Sequence, residues 1–428
     1  MTDQEIAELG PAFARYLERF RGCFLQKRTA AHFGTFCRGL LSDLPRKSVE
    51  PIALEAGTAV RTLQEFLTTA QWDHDQARDR LQRRVAEVLA ELPADDRGTV
   101  GVIDETSSQK WGDQTPGVQR QYLGCVGKID NGIVTVHVGV AKGTFQALLD
   151  ADLYLPESWA ADRERCRDAG IPDDVAYRAK WRIALDQWFR LRENGVAFDW
   201  LTFDEGYGSK TPFLWVLGRM GQKFVAEVPV SFSVRRSARG RSGRAEEFQP
   251  ARPTGGWKRF RIARKTQASA VWRAKAVRVW AARGWHLLVT AIHESTGEVK
   301  YFVTNAVEEP LARILRVAFR RATVEQAFRL AKQEAGLMHF EGRQYVGLMR
   351  HLVMALVVLG FVAEQTERLR GEKPGGDGGA GVPGVEPAVR RDVGSPSRGP
   401  GATPLGRGDS LSSATQRPSH SVPQETAT

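Results

Sequence analysis

Two apolar runs a hundred residues apart each end in an aspartate: Val100-Gly-Val-Ile-Asp104 and Trp200-Leu-Thr-Phe-Asp204. Short runs rich in β-branched and aromatic residues read as strands buried on both faces. Such strands belong to sheets covered by helices, which narrows the fold to α/β. A carboxylate at the mouth of an apolar strand is costly unless something cationic compensates it. If the two strands are neighbours, the carboxylates lie within a few Å, and like charges that close need a metal ion or a shared proton. Hard oxygen ligands suit Mg²⁺ or Mn²⁺. Two other readings compete. Each aspartate could form a simple turn after its strand, and Glu105 and Glu205 are rival ligands.

The surrounding periodicity supports the α/β reading. Val134, Val136, Val138 and Val140 alternate with Thr135, His137 and Gly139, the spacing of a strand. Asn131-Gly132, between the runs 119–126 and 133–140, predicts a hairpin turn and so a three-stranded meander with the run at 99–104. Residues 150–176 read as polar and turn-rich. Then come a helix over 177–194, a strand over 198–203, a helix over 212–220 and a strand over 223–230. This order suits a ribonuclease H-like domain, whose first and fourth strands lie side by side.

The flanks differ in kind. Residues 1–95 show helical periodicity and form an N-terminal domain. Within it, residues 52–67 predict a helix-turn-helix with Gly57 at the turn. Leu63, Phe66 and Leu67 face inward, and Arg61, Thr62 and Gln64 face out as a recognition helix needs; an ordinary helical hairpin is the competing reading. The catalytic core would occupy 96–230 and 307–370, interrupted by a β-rich insertion over 231–306. Between Arg235 and Trp285 stand fifteen Lys and Arg against only Glu246 and Glu247, interleaved with Trp257, Trp272, Trp280 and Trp285. Cations with aromatics suit backbone contacts plus base stacking, so Arg259, Arg261, Arg264, Lys265 and Trp272 are candidate DNA contacts. The competing reading is a solvated charged face over core tryptophans. Residues 371–428 contain no aromatic residue and predict a disordered tail.

Composition agrees with a polyanionic partner: 61 Lys and Arg against 50 Asp and Glu give a net charge of +11. Cys23, Cys37, Cys125 and Cys166 lack disulfide or zinc spacing and read as reduced thiols. The N-terminus lacks a signal-peptide pattern. The run Leu352–Ala363 falls short of the roughly 20 apolar residues a spanning helix takes, so a buried core helix in a cytoplasmic protein is expected.

A third acidic residue comes from the helical segment 321–332. Arg321, Glu325 and Lys332 are four and seven residues apart, which puts them on one helix face beside an apolar face of Val324, Ala327, Phe328 and Ala331. A surface ion-pair helix is the competing reading, and Glu334 and Glu341 are competing carboxylates.

Together these stretches resemble the DDE insertion-sequence transposases with a β-strand insertion between the second Asp and the Glu. The resemblance is carried by IDETS (103–107), KWG (110–112), GVQRQYLG (117–124), LYLPESW (153–159), FDEGYG (203–208), Val324-Glu325, Lys332, Gly336-Leu337 and HFEGR (339–343). It runs from about residue 8 to residue 366 and implies Asp104, Asp204 and Glu325 as a metal-binding triad holding two Mg²⁺ or Mn²⁺ ions. It also implies Arg321 and Lys332 as phosphate contacts, from a Tyr-x2-Arg-x3-Glu-x6-Lys signature whose tyrosine position is Ala318 here. Closer relatives carry Trp and Arg where this chain has Ala322 and Thr323. The implied activity is Mg-dependent DNA cleavage at the terminal inverted repeats and strand transfer into target DNA by a homodimer, in the bacterial nucleoid. A ribonuclease H-fold nuclease without strand transfer and an inactive DNA-binding regulator are the alternatives.

Overall fold

The computed structural model describes residues 3–248, 256–262, 270–371 and 389–391. Five helices come first: α1 (Asp3–Glu18), α2 (Lys27–Leu41), α3 (Val49–Glu55), α4 (Val60–Thr68) and α5 (His74–Glu91). Their inward positions are heavily aromatic. Phe33, Phe36, Phe66 and Trp72 are buried, and the rings of Phe66 and Trp72 stack at 5.2 Å. The helix-turn-helix segment is α3 and α4 around Gly57, whose φ of +61° turns the chain. Leu63, Phe66 and Leu67 are buried and Arg61 is exposed.

The sheet starts with β1 (Val100–Gln109), β2 (Gln119–Leu123), β3 (Lys128–Lys142) and β4 (Phe145–Leu153). The long β3 pairs with β1 along one edge and shares its other edge between β2 and β4, all antiparallel. After α6 (Glu157–Ala161), α7 (Arg163–Asp168) and α8 (Lys180–Glu193), β5 (Trp200–Phe203) returns to pair parallel with β1. The helices α9 (Glu205–Gly208) and α10 (Thr211–Arg219) lead to β6 (Phe224–Val228), parallel to β5. The order β4-β3-β1-β5-β6, with only β3 reversed, is the ribonuclease H-like arrangement.

Two expectations need correcting here. The hairpin between β2 and β3 turns at residues 124–127, with Gly127 at φ +68°, not at Asn131-Gly132. Gly132 lies inside β3 because a Cβ there would come within 2.3 Å of the Ser108 carbonyl oxygen. The glycine permits close strand approach. The second correction is β4 itself, whose end falls in the segment read as polar and turn-rich. Asp150 and Asp152 sit within this strand and are buried. Arg190 of α8 compensates them: its Nε and Nη2 donate to Asp150 at 2.9 Å each, and Nη2 also donates to Asp152 at 2.7 Å. Gln82 of α5 donates to Asp150 at 2.9 Å and accepts from Asn194 at 2.8 Å, so one buried polar network joins α5, β4 and α8.

The insertion follows as β7 (Ser233–Arg235), β8 (Ser242–Arg244), β9 (Lys258–Ile262), β10 (Ala270–Ala281), β11 (Gly284–His293) and β12 (Val299–Thr304). Because β12 pairs antiparallel with β6, the insertion continues the same sheet outward as β12-β11-β10-β9. A short β13 (Val389–Arg391) pairs with β9. The rest of the expected tail, residues 372–388 and 392–428, lies outside the described residues.

Three helices close the chain: α11 (Leu311–Ala318), α12 (Arg321–Gln333) and α13 (Tyr345–Gly371). The run Leu352–Ala363 lies in α13. That helix has the length and hydropathy to cross a membrane, but most of its apolar stretch is buried. It packs on β4, α2 and α5, and the Tyr16 hydroxyl of α1 donates to its Val357 carbonyl at 3.0 Å. Its His351 is buried between Phe36 and Phe340, with Nε2–H donating to the Gly336 carbonyl at 2.9 Å. Burial holds this imidazole neutral, with its pKa lowered to about 4. Because the folded value lies below the unfolded one, the unfolded chain takes up this proton first as pH falls. Stability is therefore expected to drop by about 3 kcal/mol between about pH 6.5 and pH 4 through this residue. Urea unfolding of His351→Gln across that range should show a shallower acid limb, and an unchanged slope would refute the assignment.

Candidate active site

Strand register builds the site. In the parallel pair β1–β5, Ile103 stands opposite Phe203, and in β5–β6, Phe203 stands opposite Ala226. The next residue on each strand is an acid: Asp104, Asp204 and Glu227. Asp204 continues the extended path (φ −80°, ψ −178°) before the chain turns into α9. Three acids thus stand side by side where the parallel β1–β5–β6 pairing ends, Asp104 within the longer β1 and Asp204 just past β5.

Each carboxylate is held differently. Asp104 Oδ1 accepts from the Glu105 amide at 2.8 Å. Asp204 Oδ1 caps α9, accepting from the Gly206 amide at 3.0 Å and the Tyr207 amide at 3.4 Å. The turn-forming role is therefore real, and it engages only one oxygen: Oδ2 lies 3.8 Å from Arg321 Nη1. Glu227 accepts from Lys300 of β12 at 2.6 Å and lies 3.5 Å from Arg321 Nη2. Gly208 lets α9 settle against β6, since a Cβ there would strike the Glu227 carbonyl. The buried Tyr207 beneath the row has its hydroxyl pKa pushed well up, by burial first and then by the charges of Glu105, Asp104 and Asp204.

The helix α12 crosses this face. Phe328 meets the His137 ring edge-on at 5.1 Å, and His137 is the cross-strand partner of Asp104. Burial lowers the Lys332 pKa, while Cys125 and Asp104 oppose the shift, so Lys332 lies within electrostatic reach of Asp104. Arg321 thus attends Asp204 and Lys332 attends Asp104, about 16 Å apart along the helix at 1.5 Å per residue. Residue 325 belongs to α12 one turn after Arg321, but the side chain of Glu325 lies outside the described residues. Among the described residues, no three His, Cys, Asp or Glu side chains group as a metal site. Asp104 and Asp204 supply two hard oxygen donors on adjacent strands, a donor set that suits a divalent cation.

The remaining candidates scatter. Glu105 pairs with Lys180 at 2.7 Å, Glu205 is exposed at the start of α9, Glu341 pairs with Arg46, and the Glu334 carbonyl accepts from Lys47. Arg61 pairs with Glu65 at 2.8 Å on the exposed side of α4. In the insertion Arg259 pairs with Glu294 at 2.7 Å, Arg261 is exposed, and Arg264 and Lys265 lie outside the described residues. Trp272 requires a correction. It is fully buried, with its ring 4.9 Å from both Phe319 and His293, so it serves the core of the insertion and offers no stacking surface. Glu227 was passed over in the sequence, although a lone acid in the apolar run Phe-Val-Ala-Glu-Val is the signal that marks Asp104.

A family profile described as DDE superfamily endonuclease matches residues 19–291. The chain is similar to a protein from Microchaete diplosiphon named "Probable transposase for insertion sequence element IS701", with 34% identity over 217 residues. The match covers 50% of this chain and 52% of that relative, so the chain spans about half the length of the curated relative it matches.

Proposed function

Because the chain belongs to the DDE superfamily endonucleases, a family that generally uses divalent metal ions, we propose that it is an insertion-sequence transposase that cuts DNA at element ends and joins them to target DNA. In this reading Asp104, Asp204 and Glu325 hold the metal. Two Mg²⁺ or Mn²⁺ ions held by these residues would supply Lewis acidity toward a water and a departing 3′-oxygen. Support comes chiefly from the β1–β5 register, which ends one residue before each of two aspartates a hundred residues apart.

The chain's own residues orient the substrate. Arg321 and Lys332 hold phosphates on either side of the scissile bond. The freed 3′-hydroxyl becomes the nucleophile for joining, and no covalent protein intermediate is required. The exposed cations of the insertion, such as Arg261, and of α4, such as Arg61, bind the duplex away from the cut. Two ends are cut by two copies of the chain on DNA in the bacterial nucleoid.

Purified protein incubated with Mg²⁺, end-labelled element DNA and a target plasmid tests this. Joined products support the transposase. Hydrolysed ends without joining indicate a nuclease, and binding without cleavage indicates a regulator. Glu227→Gln removes one of the charges that hold Arg321 while keeping the side chain's shape. Losing this partly buried pair should slow cleavage about tenfold, the effect of about 1.5 kcal/mol, with DNA binding retained. An unchanged single-turnover rate would remove Glu227 from the machinery.

A further inference from the structure

Strand β12 ties the insertion to the start of α12. Lys300 and Phe302 are two residues apart on this strand and so share one face of the sheet. Phe302 stands opposite Glu227 of β6, which makes Lys300 and Glu227 diagonal neighbours. The same face holds the elbow between α11 and α12 in two ways. Phe319, in the elbow, sets its ring 5.9 Å from Phe302 and 4.9 Å from Trp272 of β10. Beside this apolar seat runs a chain of alternating charges. Lys300 Nζ donates to Glu227 Oε1 at 2.6 Å, Glu227 Oε2 lies 3.5 Å from Arg321 Nη2, and Arg321 Nη1 lies 3.8 Å from Asp204 Oδ2. Lys300 also reaches Glu298 at 3.6 Å, but that side chain is 51% exposed and Glu227 only 14%. The Glu227 pair is therefore the less screened of the two.

Each link sets the next. Arg321 is shared by two acids, so its place between them depends on the charge each presents. Lys300 neutralises Glu227, which lets Arg321 lean toward Asp204. Without that ammonium, Glu227 presents its whole charge and draws the guanidinium away. Arg321 is also the first residue of α12, so its position fixes the turn that carries residue 325. We propose that Lys300 is a positioning residue, through which the insertion sets Arg321 and the start of α12 against Asp204. The proposal rests on the transposase reading for the reaction served. It gives the insertion a part in assembling the site, apart from any in holding DNA.

The test uses the full-length chain. Lys300→Met keeps most of the stem and removes the charge. Single-turnover cleavage of labelled element DNA in Mg²⁺ should slow about fivefold, a size typical of coupling between neighbouring groups, while duplex affinity in EDTA stays within about twofold. Lys300→Arg restores a cation and should recover the rate. Because Lys300 acts through Glu227, combining Lys300→Met with Glu227→Gln should cleave no more slowly than Glu227→Gln alone. Hydrogen exchange reads the same contact without metal or DNA. The amides of residues 325–328 bond to the carbonyls of the first turn of α12, and in Lys300→Met they should exchange severalfold faster while those of β1 and β5 keep the parent's rate. Unchanged exchange at 325–328 would overturn the inference, as would exchange raised throughout the chain or effects that multiply in the double variant. The two readings fail separately. A protein that joins ends, and does so at the parent's rate in Lys300→Met, keeps the transposase and loses the positioning role. One that neither cuts nor joins while exchange rises only at 325–328 keeps the anchoring of α12 and loses the transposase.

Discussion

Asp104→Asn is expected to slow DNA cleavage about a thousandfold or more with folding and DNA binding preserved, and Asp204→Asn to do the same. The size follows from the several kcal/mol of charge stabilisation that a metal-binding carboxylate controls. Preservation follows from geometry. An asparagine oxygen can still accept from the Glu105 amide at position 104 and from the Gly206 amide at position 204. Removing one of two neighbouring negative charges relieves repulsion, so the melting temperature should hold or rise slightly. Single-turnover cleavage of labelled DNA in Mg²⁺, alongside filter binding of the same duplex, separates the effects. Cleavage within tenfold of the parent for both variants would sink the assignment of these carboxylates.

Arg190→Met should have the largest effect on stability, lowering it by about 3–5 kcal/mol. Methionine fills similar space but leaves Asp150, whose side chain is fully buried, and Asp152 without their shared cation. Arg190 makes three hydrogen bonds to the pair, and a buried charge stripped of its partner costs more than the pair contributed. Urea denaturation measures the loss. Adding Asp150→Leu and Asp152→Leu to the variant should recover most of it, since an apolar set needs no compensation. A loss below about 1 kcal/mol for Arg190→Met would show that water already screens the cluster.

What the sequence made legible follows the same physics. The strands β1 and β5 stood out because every residue of the run before the aspartate is apolar or small, and that pattern also announced the acids. The strand β4 was obscured by Asp150 and Asp152, whose partner Arg190 lies 38 to 40 residues away and carries no local mark. Gly132 misled because a glycine needed for close strand contact has the same letter as one needed for a turn. Trp272 could have been recovered. Along β10, Trp272 and Ala274 are buried while Arg273 between them is exposed, the alternation of a half-covered strand. Counting cations along the segment ignored that period. The side chain of Glu325 remains outside the described residues, so the third acid stands on its helix position and the family resemblance.

The closing helix α13 has a practical consequence. It is shared property: its apolar surface is covered partly by the opening helices α2 and α5 and partly by β4. A fragment beginning near residue 96 would bare a strip of Leu, Val and Met to water and should precipitate on expression. The amino-terminal helices and the sheet domain are therefore not separable cassettes. Any replacement of the amino-terminal helices must transplant their contacts with α13 as well.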